Sequence, residues 1–219
     1  AQHAYEQAEA LFNQAQDGVF ETADTFDLYR AWSSFAYESN QLDLLEKVGL
    51  KLQYLGEQEH NPLLLGVSYM SLANACFLRM EMEKGLSLIN KALDYLAHSE
   101  KKRIIIEAKL RQAAFHWWLV DFDETIKAAQ SVLALGDTLK EEPVDLTGQL
   151  FFARQSISYA YYAKGDATRA LSYACETYDR YFHQLNPFNR MRTLNMLSNA
   201  YLIASEFTTC AKFARQGLE

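Results

Sequence analysis

Apolar side chains in this chain follow helical spacing over long stretches, and short polar breaks separate the stretches. Residues 60–98 show this on both sides of one break, with apolar side chains at Leu63, Val67, Met70, Ala73 and Phe77 and then at Leu86, Ile89, Leu93 and Leu96. Spacing of this kind predicts two amphipathic α-helices. Because the break is short, we expect the two helices to be antiparallel neighbours.

The same two-helix layout recurs along the chain at a nearly constant interval. Each copy has a small residue in its first helix, which we call the anchor, followed by an apolar or aromatic residue four positions later, a break and a second helix. The anchors are Ser33, Ala73, Ala113, Ser158 and Ser198, at intervals of 40, 40, 45 and 40 residues. The longer interval contains the loop-like stretch GDTLKEEPVD at 136–145. Such a regular interval predicts a helical repeat protein.

Local signals agree with this division. Asn61-Pro62 and Asn186-Pro187 have the pattern of an N-cap followed by proline at the first helical position. The predicted turns within the five pairs are ESN, RMEM, VDFD, KGD and ASE. A further helical pattern at about 2–17 predicts a leading helix, so we expect about eleven helices. The predicted fold is all-α, an α-α superhelix (solenoid) of antiparallel helix pairs.

The repeat also predicts the domain organisation. We expect a single repeat domain over 1–219, with a partial unit at 1–20 and units at about 21–59, 60–98, 99–138, 139–185 and 186–219. Both ends of the chain fall inside helical patterns, so the sequence is expected to be a piece of a longer protein.

The fourth unit resembles a known repeat family. Its Ser158, Tyr161, Gly165-Asp166 and Ala170 resemble the tetratricopeptide repeat (TPR), and the last unit follows that pattern more loosely. The interval of 40 departs from the roughly 34 residues of that family, and the family's first-helix tryptophan is absent from its usual position. HEAT and armadillo repeats have intervals nearer 40, but the small residues and the Gly-Asp turn fit TPR better.

Repeats of about 40 residues are similar to those of bacterial signal-transduction ATPases with numerous domains, including regulators of the maltose-activator type. The segment at 57–93 carries this similarity. The resemblance implies a non-catalytic module that binds a protein or peptide segment, or a small effector, inside a larger cytoplasmic signalling or transcription regulator. A peptide-pheromone (quorum-sensing) receptor array is the alternative. A remote alternative is an enzyme on the same scaffold that uses Glu107, His116 and Arg192.

In such arrays the binding surface is the concave groove that the first helices line. Four rows of positions are expected there: six and three residues before each anchor, and one and four residues after it. The candidate binding residues taken from these rows are Arg30, Tyr37, Asn74, Phe77, Glu107, Trp117, Tyr159, Tyr162, Arg192, Asn195 and Asn199. The row four residues after the anchor holds four aromatic side chains, which either bind a ligand or pack between layers; the pattern leaves both interpretations open.

Other groups favour structural roles. The carboxylates of VDFDE (120–124) and EEPVD (141–145) are predicted to cap helices. The basic side chains of KKRIIIEAKLR (101–111) are predicted to form the solvated face of an amphipathic helix. A net charge of −7 argues against a nucleic-acid-binding surface over the whole molecule. No apolar run has the length of a membrane span, and no glycine-rich phosphate loop or metal-ligand spacing occurs. We therefore expect no cofactor, no metal, no direct nucleic-acid partner and no membrane partner.

Overall fold

The structure, a computed structural model, describes Gln7, residues 22–139 and residues 145–218. These residues form ten α-helices and one short 3₁₀ helix, Phe182–Gln184, and contain no β-strand. The α-helices are α1 (Thr22–Glu38), α2 (Leu42–Gln58), α3 (Pro62–Leu78), α4 (Met82–Leu96), α5 (Lys102–Trp118), α6 (Phe122–Asp137), α7 (Thr147–Ala163), α8 (Ala167–Tyr181), α9 (Pro187–Ile203) and α10 (Phe207–Gln216). The predicted all-α class is confirmed. Apart from Gln7, the expected leading helix at 2–17 lies outside the described residues, as does most of EEPVD.

The helices form five pairs with the predicted interval. Their first helices begin at Thr22, Pro62, Lys102, Thr147 and Pro187, which are again separated by 40, 40, 45 and 40 residues. The second helices begin at Leu42, Met82, Phe122, Ala167 and Phe207 and repeat the same intervals. The insertion therefore lies between α6 and α7, outside every helix.

The predicted helix starts are confirmed. The side chain of Asn61 accepts hydrogen bonds from the backbone N–H groups of Leu63 (3.0 Å) and Leu64 (3.3 Å), and Asn186 accepts one from Asn189 (2.9 Å). In both cases proline occupies the first helical position, where no intrahelical N–H is needed.

All five turns within pairs use one backbone device. The residue just before the last one of each turn has positive φ: Asn40 (54°), Met80 (62°), Val120 (63°), Gly165 (76°) and Ser205 (61°). The next N–H bonds back to the carbonyl five residues earlier, as in Asp121 N to His116 O and Asp166 N to Tyr161 O, both 2.9 Å. This is the Schellman motif, which satisfies the last carbonyls of the first helix. Gly165 is the only glycine among the five.

The chain divides into two compact units, residues 1–99 and residues 100–219. Within the first unit, α2 packs against both α1 and α3, and α3 packs against α4. Within the second unit, each helix from α5 to α10 packs against the next. The predicted single domain and its unit boundaries remain predictions.

The anchor residues Ser158 and Ser198 lie at the contact between the helices of a pair, whereas the Ser33 hydroxyl is hydrogen-bonded to that of Ser71 in α3 (2.6 Å). Ala73 and Ala113 are fully buried, and Ser158 is 1% exposed. The hydroxyl of Ser158 donates to the carbonyl of Ala170 (2.9 Å), and the half-buried Ser198 does the same to Cys210 (3.3 Å). Each bond spans twelve residues and joins a first helix to its own second helix. The small side chain therefore allows close approach of the two helices.

We expect Ala113→Leu to lower the free energy of unfolding by about 1–3 kcal/mol, because the added methylene groups have no space at this buried contact. Chemical denaturation of the chain measures it. Ala163→Leu is the matched control at the exposed last residue of α7 and should change the free energy by less than about 0.5 kcal/mol. Equal effects of the two substitutions would contradict the assigned role of the anchor.

Val120 occupies a left-handed backbone position that β-branched residues rarely adopt, and it is 68% exposed. We expect Val120→Gly to raise the free energy of unfolding by about 1 kcal/mol, because relief of the backbone strain exceeds the added entropy of glycine in the unfolded chain. Gly165→Val, the reciprocal change, should lower it by a similar amount. A destabilised Val120→Gly variant would contradict the turn conformation.

Candidate binding face of the first helices

The first helices of consecutive pairs lie side by side within each unit. In the second unit α5 packs against α7 and α7 against α9, and in the first unit α1 packs against α3. The second helices of consecutive pairs show no comparable packing in the described part of the chain. Elements on the inner side of a curved stack lie closest together, so the first helices form the inner side of each unit.

Two contacts between neighbouring first helices of the second unit share the same offset. Trp117 of α5 contacts Tyr159 of α7, with ring centroids 6.2 Å apart. Gln155 of α7 contacts Arg192 of α9 through a hydrogen bond of 2.5 Å. Trp117 is four residues after its anchor and Tyr159 is one residue after its own; Gln155 is three residues before its anchor and Arg192 is six before its own. In both contacts the residue of the earlier helix is therefore three positions further along. These two contacts therefore run obliquely across the predicted rows.

Arg192 is the centre of a mixed polar and aromatic cluster on this face. Its guanidinium carbon lies 5.0 Å from the ring centroid of Phe152 and 5.9 Å from that of Phe188. Its Nη2 donates to Oε1 of Gln155. We call these four residues, Phe152, Gln155, Phe188 and Arg192, the Arg192 cluster. The two rings attract the cation through their π faces and shield it from water.

Arg192 has no carboxylate partner among the described residues. Partial burial of the guanidinium lowers the pKa of Arg192, and nearby Tyr159 acts in the opposite direction. Arginine still remains a cation at neutral pH, because its unperturbed pKa is so high. Burial also raises the pKa of the Tyr159 hydroxyl, which the positive charge of Arg192 opposes. The face therefore carries a partly desolvated positive charge beside a neutral phenol.

Gln155 is 2% exposed, and its amide nitrogen is buried without an acceptor in the described part of the structure. The amide oxygen of Gln155 accepts a hydrogen bond from Arg192. An unsatisfied buried donor costs about 1–3 kcal/mol. A polar side chain is thus retained here at a cost to stability.

Three aromatic side chains of the row four residues after the anchor pack against hydrophobic clusters. Tyr37 packs with Ala36 and Leu45 in the first unit, and Tyr162 packs beside Ala200 in the second. Trp117 packs against a hydrophobic cluster of the second unit that includes Ala113 and Ile157, and it lies 5.2 Å from the ring of Phe122. All three are half-buried, so each side chain takes part in packing and also stays partly accessible.

The asparagine candidates have different environments. On α9, Asn199 donates through Nδ2 to Oδ1 of Asn195 (2.8 Å), and Asn195 is exposed. In the first unit, the half-buried Asn74 has a buried Oδ1 without a donor in the described residues. The two α9 amides form a short polar row next to Arg192 on the same helix.

The remaining candidates do not join the Arg192 cluster. Glu107 forms an ion pair with Arg103 on its own helix, Oε1 to Nε 3.5 Å. Arg30 and Phe77 are half-buried in the first unit. The eleven candidates therefore fall into two sets, four in the first unit and seven in the second, and their binding role remains a prediction.

Three residues of the cluster were not among the candidates. Phe152 and Gln155 occupy predicted rows, six and three residues before the anchor. The sequence does not distinguish them from the other members of these rows, because their contacts with Arg192 depend on the fold. Phe188 belongs to none of the rows. The signal that identifies it is its position four residues before Arg192 in α9, since side chains at that spacing share one helix face.

The predicted capping role of the VDFDE carboxylates is confirmed for Asp121, which accepts from the N–H of Glu124 at 3.3 Å. Asp123 pairs with Lys164, and Glu124 pairs with Lys127. In the described ranges, no three His, Cys, Asp or Glu side chains are grouped so that they could hold a metal ion.

Glu107, His116 and Arg192 do not converge on one site. Glu107 and His116 are nine residues apart on α5, which separates them by about 13 Å along the helix axis. His116 contacts Asp121, Nδ1 to Oδ2 3.4 Å, whereas Glu107 and Arg192 have the separate partners given above. These three side chains provide no shared acid–base arrangement.

The sequence matches no protein-family model and no curated protein at a significant level. Solved structures do match. BtubC (BKLC) from P. vanneervenii has a TM-score of 0.74 at 17% identity, covering 99% of this chain and 86% of BtubC. A signal-transduction ATPase with numerous domains (STAND protein) with a tetratricopeptide repeat sensor, from Pyrococcus horikoshii, has a TM-score of 0.74 at 14% identity.

The alignment with the STAND protein covers 97% of this chain but only 32% of that protein. NprR in complex with its cognate peptide NprX has a TM-score of 0.50 at 15% identity, covering 97% of this chain and 72% of NprR. Similarity at these identities shows the fold alone. The chain thus has the all-α fold of TPR-like helical repeats, as the sequence predicted.

Among the described helices, none combines the length and the apolar character that crossing a membrane requires.

We expect Trp117→Ala to lower the free energy of unfolding by about 2 kcal/mol, less than the 3–5 kcal/mol of a fully buried tryptophan, because the side chain is only half-buried. Chemical denaturation measures this change. Trp118→Ala is the adjacent control, since Trp118 is 51% exposed, and it should cost less than about 0.5 kcal/mol. A full loss of 3–5 kcal/mol at Trp117 would assign that ring to the core only.

Proposed function

We propose that the chain is a non-catalytic binding module that holds an extended peptide or protein segment along the first helices of its second unit. The observation that carries this proposal is the line of side chains from Trp117 through Tyr159 to the Arg192 cluster, across α5, α7 and α9. Half-buried aromatic rings supply large contact areas at low entropic cost, and arginine beside them is a common anchor of interfaces.

An extended segment suits this line because its anchoring groups come from three consecutive helices. A peptide that crosses them presents alternate side chains to successive contacts while its backbone remains free to pair with amides such as those of Asn195 and Asn199. This arrangement selects a segment by spacing and by chemistry. It provides no nucleophile and no paired acid and base.

The parent protein is proposed to be a larger cytoplasmic signalling or transcription regulator in which this module senses occupancy. The interval of 40 residues resembles that of the maltose-activator type, and the fold similarity to the repeat sensor of a STAND protein supports the same class. A small effector in place of a peptide would use the same face.

A second candidate function is a peptide-pheromone receptor array. The hydrogen-bonded Asn195–Asn199 pair favours it, because asparagine amides on an inner face can bind the backbone of a short peptide. The fold similarity to NprR, whose structure contains a peptide, is consistent with it. The two candidates differ in whether the natural ligand is a free short peptide or a segment of a folded protein.

Selection from a displayed library of random peptides tests the proposed face. We expect enriched peptides whose synthetic forms bind the chain, and we expect Tyr159→Ala to weaken their binding at least tenfold, which is about 1.4 kcal/mol. Isothermal titration calorimetry measures both.

The matched control is Thr168→Ala on the exposed surface of α8, which should leave binding unchanged. Failure to enrich any peptide, or equal binding by the Tyr159→Ala variant, would contradict the proposed face.

A further inference from the structure

The turn within a pair carries a basic side chain that bridges to the preceding pair. In the first unit, Arg79 after α3 pairs with Glu46 of α2, with Nη2 2.9 Å from Oε2. In the second unit, Lys164 after α7 pairs with Asp123 of α6. Each basic residue is the first one after the first helix of its pair. An ion pair at this repeat position therefore joins consecutive pairs.

The junction between the last two pairs lacks this bridge. Ala204 is the first residue after α9, and Thr168 of α8 stands where α6 has Asp123, at the second residue of the helix. Both residues line a cavity of about 520 Å³, which we call the α8 cavity. This volume is within the range of small-molecule sites. A ligand can thus fill the space where the other junctions have an ion pair.

The α8 cavity has a mostly apolar lining. Leu171 and Cys175 of α8 contribute to it, and the thiol of Cys175 lies 3.7 Å from the hydroxyl of Tyr201. Burial raises the pKa of the Cys175 thiol; Asp179 and Glu206 act in the same direction, and the contact with Tyr201 opposes them. The thiol is therefore neutral at pH 7. No basic side chain lines the cavity in the part of the chain that the structure describes.

Glu206 supplies the cavity with an unpaired carboxylate. It is the N-cap residue of α10, but its side chain makes no capping hydrogen bond. The acidic N-cap residues of the three preceding pairs all have a basic partner: Glu81 with Lys84, Asp121 with His116 and Asp166 with Arg169. Glu206 has no such partner among the described residues. The cavity therefore combines an apolar surface with one uncompensated negative charge.

Charge and surface together define the class of ligand. The other two junctions provide a carboxylate with its own basic side chain, whereas this junction provides the carboxylate alone. A primary ammonium group supplies the missing charge and three N–H donors for Glu206. An attached alkyl chain covers the apolar lining at Leu171 and Cys175, as the stem of a lysine side chain covers apolar surface. A bare metal ion would find one carboxylate and leave the apolar lining in contact with water.

We propose that the α8 cavity binds a primary alkylammonium group, either the lysine side chain of a partner protein or a free alkyl diamine. In the complex, the ammonium group donates to Glu206, and the methylene chain lies against Leu171 and Cys175. The cavity lies outside the proposed peptide face on α5, α7 and α9, because its lining comes from α8 and from the turn between α9 and α10. The inference therefore goes beyond the proposed function and does not depend on it.

Small probes added to the 219-residue chain test the site and separate the two sources. Nα-acetyllysine N-methylamide presents a lysine side chain, and cadaverine is a free diamine. Nα-acetylnorleucine N-methylamide keeps an alkyl chain without the charge, and ammonium chloride keeps the charge without the chain. We expect saturable changes in the backbone amide NMR signals of Ser172 and Ala204 with at least one amine and with neither control. Tighter binding of the lysine probe identifies a partner protein, and tighter binding of cadaverine identifies a free amine.

Two variants test the assigned roles. Glu206→Gln removes the carboxylate without breaking a side-chain contact of the fold, and it should bind the tighter amine about tenfold more weakly because a charge-assisted hydrogen bond is lost. Ala204→Lys restores the basic residue of the other junctions, so its internal ammonium should weaken amine binding about tenfold and raise the unfolding temperature. Glu83→Gln is the matched control in the exposed first turn of α4 and should leave amine binding unchanged.

Several results would overturn the alkylammonium site. These are no saturable change with either amine, equal binding of the norleucine probe or of ammonium chloride, and undiminished binding by Glu206→Gln. An Ala204→Lys variant that folds and binds the amine as tightly as the unchanged chain would have the same meaning. Failure of the peptide selection would contradict the peptide face alone, since the α8 cavity shares no residue with it.

Discussion

The close contact between the two helices of each pair is the constraint on which the remaining structure depends. One helical pair cannot bury its apolar surface alone, so neighbouring pairs must stack and share it. Stacking at short distance requires a small side chain where the helices of a pair approach, and the buried Ala73, Ala113 and Ser158 satisfy this requirement. In two pairs the anchor hydroxyl also bonds a carbonyl of the second helix, which fixes the approach in direction as well as distance.

The same packing creates the candidate binding face. With the first helices side by side, polar and aromatic residues of α7 and α9 reach each other across the helix contact, although Gln155 and Arg192 are 37 residues apart in sequence. Among the described residues, their pairing leaves one cation without a counter-ion and one buried amide donor without an acceptor. Neither feature improves the stability of the fold. Groups kept at such a cost are typical of binding surfaces, where a ligand completes the unsatisfied interactions.

Much of the fold could be predicted from the chain because the repeat exposes the same signals five times. Apolar spacing located the helices, and Asn61-Pro62 and Asn186-Pro187 located two of their starts. The backbone conformation of the turns is less evident from the sequence. Gly165-Asp166 has an obvious turn sequence, whereas Met80 and Val120 adopt the same left-handed conformation without any glycine signal. Tertiary packing of the paired helices imposes that conformation, so local propensity does not reveal it.

The sequence by itself determined the helical class, the intervals of 40 and 45 residues and the rows of candidate positions, because these depend on periodicity along a single chain. Only the tertiary structure decided which members of those rows meet. The oblique offset between first helices brings Arg192 to Gln155 and Trp117 to Tyr159, whereas Arg192 and Phe152 meet within one row. That offset depends on how the side chains of adjacent helices interdigitate, a property of two surfaces together that no single row of the sequence contains.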